Sequence, residues 1–239
     1  MAHSAPHDWH SKDFVEAWVN KRSPEDANRA AHFYLMSKLL PIARNQRATI
    51  LDIGAGYGPL AKVLIESYPN ATLVLQDFSQ PMLKKAKERL SVHADRIHFV
   101  YTDLMKKDWT DGIGVVDAVV SSMGFHELGA PSRVREIYNE VFPLIKPGGA
   151  FLDIDFVNGT DAATYWLNSS SIMGKDADDP MGTSAWVAGT WQASSSYLFT
   201  ATVEEKLLWL RESGFSVVDC WWKEMGRALV GGLKAPIQT

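Results

Sequence analysis

Residues 51–58 read LDIGAGYG, and the reading of that stretch decides the fold. Apolar residues lead into it from Thr49, as a strand buried on both faces would. Pro59 follows it, suited to the first helical position, where a missing N–H costs nothing. Glycines at 54, 56 and 58 let the backbone turn tightly and approach another group without a Cβ in the way. The helix beyond offers unpaired N–H groups at its positive end, a place for a carboxylate or a phosphate.

On either side of this turn, strand-like and amphipathic stretches alternate from about residue 48 to 156. Strands are expected at Thr49–Ile53, Thr72–Gln76, Ile97–Tyr101, Asp117–Ser121 and Ala150–Phe156, with helices at Pro59–Ser67, Pro81–Leu90 and Ser132–Ile145. That is the order of βαβ units in a parallel sheet. Ser79 stands where a cap for the second of these helices belongs. Farther on, Thr202 to Glu205 forms a capping box, opening a helix to about Glu212 that Gly214 ends. FSVVDCWW and RALVGGL then read as an antiparallel hairpin. The fold class is therefore α/β: a doubly wound, mostly parallel seven-stranded sheet with an antiparallel C-terminal hairpin and helices on both faces.

Two segments lie outside this pattern. Residues 1–46 carry helical stripes, with Phe14 and Trp18 on one face and Pro24 opening a second helix after Ser23. Residues 157–201 are rich in Ser, Gly and Trp, and a long insert of that kind inside a compact domain is usually functional.

Composition narrows the class. The chain has 239 residues, 46% hydrophobic and 22% charged, which is globular rather than disordered. No apolar run approaches the ~20 residues a membrane-spanning helix needs, and the N-terminal MAHSAPHDWHSKDF lacks the apolar core of a signal peptide. One cysteine, Cys220, permits no intrachain disulfide, so a cytoplasmic location is the default expectation. The net charge is −4. The basic run Lys84, Lys85, Lys87, Arg89 sits in an expected helix and reads as a solvated face, which argues against a nucleic-acid partner. His3, His7 and His10 are spaced like metal ligands but lie in a terminal tail; no metal site is expected.

The glycine turn alone does not name a ligand. A dinucleotide fingerprint wants a third glycine or alanine where Pro59 stands, and no Gly-Lys-Ser/Thr of a triphosphate loop follows. Asp77 and Asp103, at the ends of the next two strands, join Asp52 on the rim where open α/β sheets bind ligands. A carboxylate at Asp77 can accept both hydroxyls of a ribose, and one near Asp103 can take an adenine amino group. Each could instead be a surface cap.

In order and spacing, LDIGAGYG, QDFSQPML, YTDL, VVDAVVSSMGFHEL and LIKPGGAFLDID resemble the motifs of class I, Rossmann-like S-adenosylmethionine-dependent methyltransferases. The closing EEKLLWLRESGF and hairpin are similar too. The resemblance covers roughly residues 48–156 and 202–234. It implies a single methyltransferase domain: residues 1–46 as an N-terminal helical cap, 47–156 as the cofactor-binding core, 157–201 as a substrate-side insert or lid, and 202–239 as the closing helix and hairpin. It implies that Gly54, Ala55 and Gly56 pass beneath the methionine part of S-adenosylmethionine, with Asp52 facing its amino group. Asp77 would hold the ribose, Asp103 and Leu104 would frame the adenine, Phe78 and Met82 would pack on it, and Met123 and Gly124 would sit near the sulfonium.

For an acceptor that must lose a proton, His126 is the candidate base, an imidazole titrating near neutral pH, with Glu127 second. His126 could equally be structural. Asp155, two residues from Asp153 and on its face of the strand, is a substrate-side candidate, as are Trp18, Trp166, Trp186 and Trp191, which could line an acceptor pocket or belong to the core. The expected partner is a small-molecule methyl acceptor, with homo-oligomerisation left open. A nicotinamide-dependent oxidoreductase and a catalytically silent S-adenosylmethionine-binding protein are the alternatives.

Overall fold

The computed structural model describes residues 7–158, 200–224 and 226–237. Seven strands form one sheet: β1 Thr49–Ile53, β2 Thr72–Asp77, β3 Ile97–Tyr101, β4 Val116–Ser122, β5 Ile145–Phe156, β6 Val217–Glu224 and β7 Arg227–Leu233. Their order is β3-β2-β1-β4-β5-β7-β6. The first five are mutually parallel, whereas β7 runs antiparallel to β5 and to β6. The chain leaves β1 toward one edge through β2 and β3, then returns to the other side of β1 as β4. Reversal at β1/β4 opens a crevice at the carboxyl ends of these strands, where such sheets bind ligands.

Side chains alternate across the sheet, so each strand feeds two cores. Ile50, Leu73, Val120, Leu152 and Leu229 face one layer with Phe33 and Met36 of α2 (Asp26–Leu39), Leu60 and Leu64 of α3 (Pro59–Ser67) and Ala86 of α4 (Gln80–Arg89). Leu51, Val74, Val119, Phe151 and Val230 face the other, against Val134, Ile137 and Tyr138 of α5 (Pro131–Leu144) and Trp209 and Leu210 of α6 (Val203–Glu212). Helices on both faces explain why TLVLQ and DAVVSS need no polar alternation.

The local signals act as their chemistry requires. Ser79 caps α4, its hydroxyl accepting from the Met82 N–H at 3.1 Å. The Thr202–Glu205 box is reciprocal: Glu205 Oε2 accepts from the Thr202 N–H at 2.8 Å, and Thr202 Oγ1 from the Glu205 N–H at 3.2 Å. Several boundaries shift by a residue or so from the sequence reading, and two shifts have a structural cause. β5 starts at Ile145, before the Lys-Pro-Gly-Gly turn, because Ile145 pairs with Val116 while Ala150 already pairs with Ala118. The turn is thus a bulge inside the strand. At the N-terminus, α1 (Lys12–Arg22) runs into a 3-10 turn over Ser23–Glu25, and α2 starts only at Asp26.

One buried ion pair ties α6 to the sheet. Lys206 Nζ donates to Asp153 Oδ2 at 2.8 Å, and Tyr138 Oη donates to the same oxygen at 2.6 Å. Burial raises the Asp153 pKa, and the Lys206 ammonium opposes that rise. Removing one partner leaves the other charge stranded, at a cost of about 3–5 kcal/mol. Lys206→Ala should therefore lower the unfolding free energy by about 3 kcal/mol, measured by urea denaturation. A change no larger than that of an exposed-lysine control would show that the pair carries none of the stability.

Candidate active site

Fourteen carboxyl-edge residues singled out from the sequence lie within the described structure, and backbone geometry gathers most of them along β1, β2 and β4. The glycine turn takes φ of 64° at Gly54, 55° at Gly56 and 80° at Gly58, values side-chain-bearing residues adopt at a cost. Two side chains of β2 hold it. Gln76 Oε1 accepts from the Gly54 N–H at 3.1 Å, while its Nε2 donates to the Thr102 carbonyl at 2.7 Å. Asp77 Oδ2 accepts from the Gly56 N–H and Oδ1 from the Ser79 N–H, both at 2.8 Å. Gln76 was not foreseen as a site residue, although a polar residue ending the apolar run TLVL was its signal.

Electrostatics at this edge favour a cationic visitor. Asp52 is 1% exposed, and its Oδ2 has no hydrogen-bond partner among the described residues. Burial, and then the Asp77 charge, push the Asp52 pKa well up. Burial also raises Asp77, against the pull of the Ser79, Gly56 and Phe78 amides, to about 6. An orphaned buried carboxylate oxygen beside a glycine turn fits the ammonium of an amino-acid moiety, which would return its charge partner. Each Asp77 oxygen has a further lone pair for a ribose hydroxyl.

Beyond the turn, Met123 is the non-glycine residue with positive φ among the described residues, at 57°, held by its N–H on the Ile154 carbonyl at 2.8 Å. Gly124 lies against Gly54, leaving about ordinary contact distance for a Cβ at either (3.4–3.5 Å). Leu104 is buried, its carbonyl accepting from Arg133 Nε at 2.7 Å; the arginine clamp was not foreseen. Asp103 Oδ1 accepts from the Met105 N–H at 2.9 Å, which caps its own turn. Met82 is buried in a cluster with Val15 and Tyr57, against which Trp9, Phe14 and Trp18 pack.

On the other side, His126 stands between two carboxylates. Its Nδ1 is 2.7 Å from Asp155 Oδ1, its backbone N–H donates to Asp155 Oδ2 at 3.0 Å, and its Nε2 is 3.2 Å from Glu127 Oε1. Burial lowers the imidazole pKa, but Asp155 and Glu127 outweigh it, and the result is a rise from 6.5 to about 9. The expectation of an imidazole titrating near neutrality thus gives way: with two acceptors facing its two nitrogens, the ring keeps both protons at neutral pH. Asp155, expected on the substrate side, is turned onto His126, which holds its pKa low against burial.

Trp18 is edge-on to Tyr57 of the glycine turn, with centroids 5.9 Å apart, and the indole that meets Glu127 belongs to Trp9 (Nε1 to Oε2, 3.2 Å). Trp166, Trp186 and Trp191 lie outside the described residues. Among the described residues no cluster of three or more His, Cys, Asp or Glu side chains could hold a metal ion. A cleft at the opposite end of the sheet, lined by Arg47, Asn70, Arg96 and Lys146, has its Arg96 and Lys146 charges engaged by the Tyr68 and Ala71 carbonyls and by Asp117.

Comparison with known proteins agrees with this geometry. Residues 50–149 match the family model described as a methyltransferase domain. A demethylmenaquinone methyltransferase of Thermus thermophilus is 30% identical over 107 residues, which is 45% of this chain and 46% of that protein. A malonyl-[acyl-carrier protein] O-methyltransferase of Neorickettsia risticii is 36% identical over 87 residues, 36% of this chain and 32% of that protein. The chain thus spans less than half the length of these two relatives. Among solved structures, an O-methyltransferase family protein from Burkholderia thailandensis superposes with a TM-score of 0.66 at 19% identity, covering 97% of this chain and 62% of that one. Human N-acetylserotonin methyltransferase in complex with S-adenosylmethionine gives 0.59 at 18%, covering 95% and 57%. Residues 50–149 thus resemble a methyltransferase domain, and the sheet order and layers are those of the fold these solved methyltransferases share.

The raised imidazole makes a prediction. A folded-state value of about 9 exceeds the ordinary 6.5, so the stability it contributes is complete below about pH 6.5 and is lost as pH rises through 9. Thermal melts should show the wild type losing more stability than His126→Gln between those pH values. Parallel curves would show that His126 is not held as an imidazolium.

Proposed function

We propose that the chain transfers a methyl group from S-adenosylmethionine to a small-molecule acceptor, by in-line displacement. The observation that carries this reading is the orphaned Oδ2 of Asp52 beside the Asp77-tied glycine turn, which matches an amino-acid ammonium next to a ribose. When bound, the cofactor supplies an electrophilic methyl on a sulfonium, so the chain's own work is positioning and exclusion of water.

In this reading the amides and φ-positive glycines of the turn lie under the methionine moiety, Asp52 neutralises its ammonium and Asp77 accepts from the ribose hydroxyls. Asp103, Leu104, Phe78 and Met82 bound the adenine. Met123 and Gly124, at the end of β4, border the methyl. An acceptor with an ionisable proton approaches from the His126 side. Asp155 holds Nδ1–H, which leaves Nε2 as the position that exchanges a proton, with Glu127 beside it. A hydroxyl that displaces Glu127 from Nε2 removes one of the two carboxylates raising the imidazole, so the ring can release its Nε2 proton to solvent and then accept the proton of the hydroxyl. Trp18, and Trp166, Trp186 and Trp191 of the 157–201 insert, are proposed for the acceptor side. The acidic balance and the dense aromatics support a small molecule over nucleic acid. A cytoplasmic location belongs to the same reading; among the described residues no helix is long and apolar enough to cross a membrane.

Calorimetric titration with S-adenosylhomocysteine tests the proposal. Micromolar binding is expected, weakening as pH falls through about 6, where Asp77 takes up a proton. Asp77→Ala removes both the ribose acceptor and the Gly56 tether, and should cost roughly tenfold or more in affinity, about 1.4 kcal/mol. No heat at millimolar ligand would sink the reading, and reduced nicotinamide cofactors would then be titrated. Binding without turnover against a panel of hydroxyl, amine and carbon acceptors would favour a silent binding protein.

A further inference from the structure

Trp9 stands between the two halves of the site. Its indole Nε1–H donates to Glu127 Oε2 at 3.2 Å, and the other oxygen of that carboxylate is 3.2 Å from His126 Nε2. Its backbone carbonyl accepts from Ser79 Oγ, the hydroxyl that caps α4 beside Phe78. Its ring is edge-on to Phe14 and to Trp18, each at 5.2 Å, and Trp18 in turn meets Tyr57 of the glycine turn. The neighbouring His10 ring lies 5.3 Å from Phe78. One residue therefore touches the carboxylate beside the imidazole and the loops that would border a nucleoside.

We propose that Trp9 is a positioning residue that holds Glu127 against His126, and so makes the proton occupancy of the imidazole depend on the seating of the N-terminal segment over the cofactor loops. The inference rests on the reading of His126 as the proton acceptor. Its physical basis is the freedom of a glutamate. Glu127 is 24% exposed; a side chain of this kind gives up rotamer entropy to stay in one pose, and a lone carboxylate–imidazole contact near solvent holds it weakly. An indole N–H is a donor only, so it can pair with the carboxylate and never compete with it for a proton. Held by Phe14, Trp18 and the Ser79 contact, the ring cannot follow Glu127 outward. His7 Nδ1, 3.3 Å from Glu127, adds a second donor from the same segment when protonated.

Among the described residues, the charged and titratable groups facing the imidazole are Asp155 of β5, with Asp153 and Lys206 behind it, Glu127 on the same turn, and His7 across Glu127. The Phe156 ring covers one side at 4.9 Å. Of these, Glu127 meets the Trp9 N–H and His7 meets the Trp9 ring edge-on at 5.1 Å, so a change confined to the indole N–H reports on the Glu127 link.

The experiment is an NMR titration of the His126 ring, assigned against His126→Gln, in the ligand-free protein. Glu127→Gln should lower the midpoint by about one unit or more, the effect of losing a carboxylate in contact. Trp9→Phe, which keeps an aromatic ring but no N–H, should lower it by at least about half as much, as Glu127 escapes to solvent. Replacing Trp9 with 3-benzothienylalanine, which exchanges only the N–H for sulfur, should do the same and guards against a packing defect. A midpoint unchanged or raised in both Trp9 replacements overturns the role of Trp9 while leaving His126 as proton acceptor. A midpoint unmoved by Glu127→Gln overturns the Glu127–His126 coupling itself. The S-adenosylhomocysteine titration reports on the methyltransferase reading independently of either.

Discussion

Four aspartates crowd the carboxyl edge of this sheet, and each is 6% exposed or less: Asp52, Asp77, Asp153 and Asp155. A buried carboxylate is tolerable only with hydrogen bonds or a counter-charge, so the way each is satisfied organises the region. Asp153 is matched by Lys206 and Tyr138, which pins α6 and α5 to the sheet. Asp155 is matched by His126, which fixes the turn after β4. Asp77 is satisfied by amides of the glycine turn and of Ser79, and in doing so it shapes the turn. Asp52 keeps Oδ2 unmatched, as Asp153 keeps Oδ1, and the ammonium of a methionine moiety is the partner proposed for Asp52.

The two remaining partners of the site come from far along the chain. Trp9 and Glu127 are 118 residues apart, and His126 and Asp155 are 29 apart. Their meeting converts an ordinary imidazole into one that keeps its proton to about pH 9. Such a group is a poor base until one carboxylate is withdrawn, which places control of the proton in whatever moves Glu127. An aromatic N-terminal segment that packs on Tyr57, Phe78 and Met82 while gripping Glu127 is well placed for that control.

Much of the fold was legible because it rests on local periodicity and capping chemistry. Pro59, Ser79, and the Thr202–Glu205 box act where short-range hydrogen bonding predicts they should. The boundary at Ile145 was not legible, because a bulge is defined by what lies opposite on β4, not by the residues in it. The 3-10 turn at Ser23–Glu25 escaped for a similar reason: proline interrupts one helix without saying how soon the next begins. In the site, the strand-end aspartates and glycines were visible from motif order. Gln76 and Arg133 were not singled out, since each works by spanning to a backbone group 22 to 29 residues away.

The sequence by itself determined the class of sheet, the position of the glycine turn and the set of acids at the strand ends, because turns, caps and strand periodicity depend on neighbours in the chain. Only the tertiary structure decided which acid meets which partner. It turned Asp155 onto His126, left Asp52 with a bare oxygen, and brought Trp9, rather than Trp18, to Glu127. The physical reason is that a buried charge takes its pKa and its role from the groups packed around it, and in this chain those groups arrive from distant segments.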